Sequence, residues 1–173
     1  MAIMRKNTNI VKRDHMPHDY ISYIRSKVGH DKIILNFAGG ILTNDDSKVL
    51  MQLRGDKKTW AIPGGTMELG ESSLETCKRE FLEETRIEVE AVRLLNVYTH
   101  FEEVYPNGDA VQTIVFIYEL TAVSDMAIDN FHNEETLKLQ FFSHEEIAEL
   151  ESVSAKHRLM LEEYFSDSFA MGH

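Results

Sequence analysis

Between positions 64 and 87 the chain reads GGTMELGESSLETCKREFLEETRI, a stretch dense in residues that can do chemistry. On a helix of ~100° per residue, Glu80, Glu83 and Glu84 fall at i, i+3 and i+4 on one stripe. Carboxylates with Cβ atoms roughly 5–6 Å apart repel one another unless positive charge lies between them. A hard, oxygen-seeking cation such as Mg²⁺ or Mn²⁺ answers that need. Arg79 lies one i,i+4 step from both Glu75 and Glu83, so it can orient or partly neutralise carboxylates without competing for a metal. A bare Glu-x-x-Glu-Glu is usually only a solvated helix face. The surroundings argue otherwise, because Trp60, Pro63, Gly64 and Gly65 lead in, Glu71 stands in the loop, and Arg79-Glu80 precedes the glutamate pair.

These side chains need a scaffold, and its elements are legible. Ser72 and Glu75 have capping-box spacing, which predicts a helix beginning near Ser73 and lasting to about Thr85. Leu74, Cys77 and Phe81 share the stripe that should pack on a sheet. Upstream, Ile21, Ile24 and Val28 mark a short amphipathic helix closed by Gly29. Lys32 to Thr43 reads as a strand whose Gly39-Gly40 allows a close backbone approach. After the turn signal Asn44-Asp45-Asp46, Lys48 to Leu53 returns, and the pair is expected to form a hairpin. Val89 to Phe101 and Val111 to Leu120 read as long strands around Pro106-Asn107-Gly108. A polar acidic loop, 124–135, then precedes a short strand at Leu137 to Phe142. Ser143 opens a short helix to Leu150, and a last amphipathic helix covers about Ser154 to Phe165. Mixed strands with few helices, one of them central, indicate an α/β sandwich.

The 173 residues suit one domain over 17–166, with an N-terminal extension at 1–16, either flexible or an expression leader, and a tail at 167–173. Hydrophobic residues make up 43% and charged residues 27%, an ordinary globular balance. The formal charge of −11, from 29 acidic and 18 basic residues, argues against general nucleic-acid binding. Phosphate handling in so acidic a chain needs local positive charge, which bound cations can supply. No apolar run approaches the roughly 20 residues that span a bilayer, and 1–14 lacks the apolar core of a secretory signal, so a cytoplasmic protein without a membrane partner is expected. The single Cys77 rules out an intramolecular disulfide and a multi-cysteine zinc site.

Written out, Gly65, Glu71, Arg79-Glu80-Phe81, Glu83-Glu84 and Ile87 resemble the Nudix box, G-x5-E-x7-R-E-U-x-E-E-x-G-U with U a bulky apolar residue. The flanks are similar as well, so the resemblance runs from about Lys32 to Leu150. It implies a Nudix-type α/β/α sandwich with a mixed central sheet and a catalytic loop-helix-loop. The one departure is Arg86, where the family usually has a glycine that ends the helix in the left-handed conformation. A side chain there costs roughly 1 kcal/mol but removes no metal ligand.

The resemblance implies hydrolysis of a phosphoanhydride in a nucleoside-diphosphate-linked compound, such as ADP-ribose or a nucleotide sugar, by water attack on phosphorus. Glu83 and Glu84 are the expected main metal ligands, with Glu80 beside them and the Gly65 carbonyl completing the sphere. Arg79 supports catalysis, and Glu71 pairs with it or assists the metal and substrate through water. The general base comes from the box or from a loop ahead of the last strand; there Glu135 is favoured over Glu134, with Glu102 and Glu103 as further candidates. Arg54 is a candidate for a substrate phosphate, against a solvated role. Trp60 reads as packing, Phe101 and Tyr105 as stacking or core residues, and Cys77 as core. Diadenosine polyphosphates and intact or damaged nucleoside triphosphates remain alternative substrates on this fold. A non-catalytic nucleotide-sensing domain is a further alternative, disfavoured because Glu71, Glu80, Glu83 and Glu84 are all present. Homodimers are common in the family, so a second copy of the chain is an admissible partner.

Overall fold

The structure is a computed structural model that describes residues 19–129, 131–170 and 172; the extension expected at 1–16 lies outside the described residues. The elements run in the order α1 (Tyr20–Val28), β1 (Ile33–Leu42), β2 (Val49–Arg54), β3 (Trp60–Ala61), β4 (Gly64–Thr66) and α2 (Ser73–Thr85). There follow β5 (Val89–Val104), β6 (Ala110–Ala122), β7 (Thr136–Phe142), α3 (His144–Glu149) and α4 (Ala155–Ser166). No helix among the described residues is long and apolar enough to cross a membrane.

The strands divide between two sheets. One is mixed, ordered β4-β1-β6-β5, and the other is antiparallel, ordered β3-β2-β7. Period-two alternation loads both faces of the strands. On β1, Ile41 joins one core while Ala38 and Leu42 join the other; on β2, Val49 and Met51 separate from Leu50 in the same way. Cys77 and Phe81 of α2 fill the second core, whereas Ile147 of α3 and Met160 and Leu161 of α4 fill the first. Helices therefore cover both faces, the α/β/α arrangement expected from the sequence.

The hairpin expected of β1 and β2 does not form. The turn is real: the Asn44 side chain accepts from the N–H groups of Asp46 (3.1 Å) and Lys48 (2.9 Å). Beyond a single bridge between Thr43 and Val49, however, the strands part into different sheets. Both edges of β1 are already taken, by β6 in parallel and by β4 in antiparallel register. β2 pairs instead with β3 and β7. The residues at and after the end of β2 and those of β4 line the same cavity.

α2 begins where the sequence places it. Ser72 accepts from the Glu75 N–H, and the Glu75 side chain accepts from the Ser72 N–H at 2.8 Å. It ends at Arg86 in the left-handed region (φ 60°, ψ 15°), whose N–H reaches the Leu82 carbonyl at 2.8 Å. The guanidinium lies 5.3 Å from the centre of the Phe131 ring. Replacing Arg86 with Gly is expected to relieve the backbone cost and raise stability by about 1 kcal/mol, or roughly 2–4 °C in Tm. Thermal melts of Arg86→Gly and Arg86→Ala check this: only the glycine variant should melt above the wild type.

Candidate active site

Three backbones meet at the entry to α2. β4 runs antiparallel to β1, pairing Ala38 with Gly65 and Gly39 with Gly64. The fit tolerates no side chain, since a Cβ on Gly64 (φ 151°) would stand 2.5 Å from the Ala38 carbonyl oxygen. A Cβ on Gly65 would lie 2.4–2.6 Å from the Glu80 carboxyl atoms, so glycine there lets the Glu80 carboxylate come against the β4 backbone.

Arg79 ties these pieces together. Its Nε and Nη2 donate to the two oxygens of Glu71 at 2.7 and 2.9 Å. Nη1 donates to Glu80 at 2.7 Å and to Glu83 at 3.2 Å, and Nη2 also reaches the Thr66 carbonyl at 3.1 Å. One guanidinium thus joins β4, the loop before α2 and two turns of α2. Glu71 further accepts from the Thr76 hydroxyl (2.8 Å) and the Glu68 N–H (3.1 Å). Arg79 leads these partners in pulling the Glu71 carboxyl down to about 2.

Glu84 and Glu80 have the opposite character. Glu84 is 3% exposed, and one oxygen accepts the Gly64 N–H at 2.7 Å. Burial pushes its carboxyl up to about 7 against the Gln52 amide and that N–H, and the Glu80 charge adds to the rise. Burial also raises Glu80, Arg79 opposes the rise, and the charges of Glu83 and Glu135 add to it. These groups repel one another in a partly desolvated space. Among the described residues no three His, Cys, Asp or Glu side chains encircle a point as a closed metal cage would. The donor set nevertheless suits a hard cation: all oxygen, Glu84 buried and Glu80 part-buried and mutually repelling, with a side-chain-free backbone beside them at Gly65.

Gly65, Glu80, Glu84, Arg54 and Glu135 all line one cavity of about 800 Å³. Arg79 and Glu71 stand behind it. Glu83 is not in the wall; its side chain is 57% exposed and its carboxylate faces Arg79. Arg54 is held by Asp56 through two bonds of 2.9 Å while feeling the charges of Glu84 and Glu135. Of the other candidates, Glu102 pairs with Lys32 at 2.5 Å, and Glu103 pairs with Lys57 and, at 3.4 Å, with Lys156. Glu134, Phe101 and Tyr105 line the cavity, Tyr105 beneath the Lys57 ammonium. Trp60 packs edge-on to Phe142, and burial pushes the wholly enclosed Cys77 thiol up to about 12; both are core residues, as expected.

Sequence reasoning missed the residues that hold this arrangement. Gln52 is fully buried in β2, accepts from the Thr136 hydroxyl at 2.8 Å, and has its amide nitrogen near enough to favour the Glu84 carboxylate without forming a well-aligned hydrogen bond. Asn133 accepts from the N–H groups of Glu135 and Thr136 and donates to the Glu83 carbonyl at 3.1 Å, fixing the Glu134-Glu135 loop to the end of α2. Gly55 binds the same loop through the Glu135 carbonyl at 2.7 Å. Only Gly55, directly after a strand, had a local signal. The Glu71–Arg79 clasp has its own pH signature. A carboxyl depressed on folding stabilises the fold above its unfolded pKa near 4.5, and that contribution fades as pH falls towards 2. Glu71→Gln should therefore melt below the wild type at pH 7, with the gap closing between pH 4.5 and about 2 in parallel melts.

The comparisons with known proteins agree with this geometry. A MutT-like protein of Streptomyces ambofaciens is 41% identical over 59 residues, 34% of this chain and 38% of that protein. An ADP-ribose pyrophosphatase of Methanocaldococcus jannaschii is 33% identical over 115 residues, 62% of this chain and 67% of that protein. The chain thus spans well under half the length of the first relative and about two thirds of the second. The crystal structure of a MutT protein from Bacillus halodurans superposes with a TM-score of 0.64 at 27% identity, covering 79% of this chain and 86% of that one. The family model for the NUDIX domain matches residues 36–164, which takes in nearly all of both sheets, α2 and nearly all of α4. The chain belongs to the NUDIX domain family.

Proposed function

We propose that this protein hydrolyses a phosphoanhydride bond in a nucleoside-diphosphate-linked compound, using a divalent cation, Mg²⁺ or Mn²⁺, held at the acidic end of the cavity. The observation that carries the reading is the carboxylate pair, the buried Glu84 and the part-buried Glu80, set against Gly64 and Gly65 in a cavity that also presents Arg54, Lys57 and Lys156. Such a space offers cation ligands at one wall and phosphate partners at others.

Glu84 and Glu80, with the Gly65 carbonyl, are the nearest candidates for cation ligands, and Glu83 joins them if its carboxylate leaves Arg79. A bound divalent cation supplies charge neutralisation of the diphosphate and acidifies the attacking water. Arg79 keeps Glu80 and Glu83 oriented and Glu71 clamped to the loop. Arg54, shared with Asp56, is positioned to meet a substrate phosphate. Glu135, on a loop fixed at both Gly55 and Asn133, is the proposed acceptor of the water proton. ADP-ribose is the first substrate to test, because the archaeal relative bears that name. The same reading takes residues 17–166 as one domain.

A panel of ADP-ribose, nucleotide sugars, dinucleotide polyphosphates and nucleoside triphosphates, assayed with Mg²⁺, Mn²⁺ or chelator, tests the proposal. Release of nucleoside monophosphate from at least one compound, abolished by chelator, is the expected outcome. Glu84→Gln keeps the side-chain shape and should lower turnover about 10²-fold or more. Glu135→Gln should lower kcat about 10²- to 10⁴-fold while leaving the metal concentration for half-activity unchanged. Full activity in Glu84→Gln would remove the proposed site, and nucleotide binding without turnover on every compound would favour a sensing domain instead.

A further inference from the structure

The positive charge of the cavity is gathered around one side chain. Among the described residues that line the cavity, Arg54, Lys57 and Lys156 are the cationic ones, and all three charges act on the imidazole of His157. They come from different parts of the chain. Arg54 ends β2, Lys57 follows it in the loop to β3, and Lys156 and His157 lie in the first turn of α4. Arg54 also feels the charges of Glu84 and Glu135, so it links this group to the acidic wall.

His157 is fixed as a neutral donor. Its Nδ1 accepts the Ile62 N–H at 3.3 Å, so the ring hydrogen is on Nε2. The ring is partly exposed and lines the cavity, yet burial, with the charges of Lys156, Arg54 and Lys57, pushes its pKa down to about 3. It therefore stays uncharged beside three cations that would repel an imidazolium. Its Nε2–H has no hydrogen-bond partner among the described residues, and it is not one of the side-chain atoms sealed from solvent. The first turn of α4 lines the same cavity, and a helix adds partial positive charge at that end.

The two lysines are meanwhile held by one carboxylate. Glu103, near the end of β5, pairs with Lys57 and, at 3.4 Å, with Lys156, and so joins the β2–β3 loop to α4. Burial would raise its carboxyl, but these two charges hold it below the usual carboxylate range. The place already carries an oxyanion, supplied by the protein itself. That oxyanion is exchangeable, because Glu103 (27% exposed), Lys57 (42%) and Lys156 (32%) all reach solvent, and such pairs contribute little to stability. Each Glu103 oxygen serves one lysine, which leaves the His157 donor open. A phosphate has more charge than a carboxylate and enough oxygens for all three donors.

We propose that Lys57, Lys156 and the His157 Nε2–H form a subsite for a substrate phosphate, and that Glu103 occupies the lysines until such a phosphate displaces it. The inference rests on the function proposed above and deepens it. The substrate carries a phosphate on the far side of Arg54 from the cation, and Glu103 sets the affinity for that phosphate by competing with it. This gives Glu103 a role other than that of a base.

Titration with inorganic phosphate tests this without turnover, with divalent cations removed and ionic strength held constant by chloride. The imidazole signals in long-range proton–nitrogen correlation spectra, assigned to His157 by their loss in His157→Gln, report the subsite directly. In the wild type the Nε2 signal should move saturably with phosphate. Lys156→Gln and Lys57→Gln should each weaken phosphate about 3- to 10-fold. Glu103→Gln should tighten it by a similar factor, because the competing carboxylate is gone. Glu102→Gln removes the same charge one residue away, from a partner of Lys32, and should leave the affinity unchanged. The two lysine variants alter different elements, so each reads the proposal independently. A His157 signal that phosphate does not move would overturn it, as would Glu103→Gln binding phosphate no more tightly than the wild type or than Glu102→Gln. The expected pattern in a protein that hydrolyses nothing would uphold the subsite and contradict the proposed function. Hydrolysis of a panel compound by a protein whose His157 signal ignores phosphate would do the reverse.

Discussion

The Arg79 guanidinium is the charge on which the arrangement of the site depends. Four carboxylates converge around α2 and the loop before it, and three of them, Glu71, Glu80 and Glu83, bond to this one planar group. A guanidinium can do this because its five donors point in fixed directions; a lysine in the same place would be a compact point charge with three donors and no planar fork to hold Glu71 through both oxygens. The strongest pairing goes to Glu71, which lies outside the cavity wall and anchors the loop. Glu80 receives one bond, and Glu84 makes no ion pair with Arg79. The distribution is uneven, and its result is an acidic wall held in place yet incompletely neutralised.

That imbalance is meaningful only because the backbone brings the carboxylates together in a desolvated place. Close antiparallel contact of β1 with β4 requires glycine at 64, and glycine at 65 lets Glu80 lie against the strand. Phe81 and Cys77, buried on the other stripe of α2, fix the helix against the sheets so that Glu80 and Glu84 point towards β4. Burial then raises both carboxyls, and their charges raise each other. Scaffold packing and site electrostatics are in this sense one problem: the stripe that fills the core determines which glutamates lose water.

Much of this was legible in the sequence because its signals are local. The capping box at Ser72, the packing stripe of α2 and the grouping of Glu80 with Glu84 each follow from spacing within a few turns, while the left-handed end at Arg86 was implied by the family resemblance. Strand pairing was not legible. The turn at Asn44 suggested a β1–β2 hairpin, but β1 is claimed on both edges by strands distant in sequence, and no local pattern reports that competition. Glu83 shares the stripe of Glu80 and Glu84, yet its side chain projects to the exposed side, a distinction of tens of degrees that i, i+3 counting blurs.

The central claim is that Glu80 and Glu84 form a cation site whose geometry Arg79 maintains. Titration of the protein with Mn²⁺, followed by the electron paramagnetic resonance signal of the free ion, measures it without reference to any substrate. The wild type should bind Mn²⁺ at pH 7.5, and the folded Glu80→Gln/Glu84→Gln double variant should bind it at least about tenfold more weakly. Undiminished Mn²⁺ binding by that double variant would contradict the claim and place the cation elsewhere.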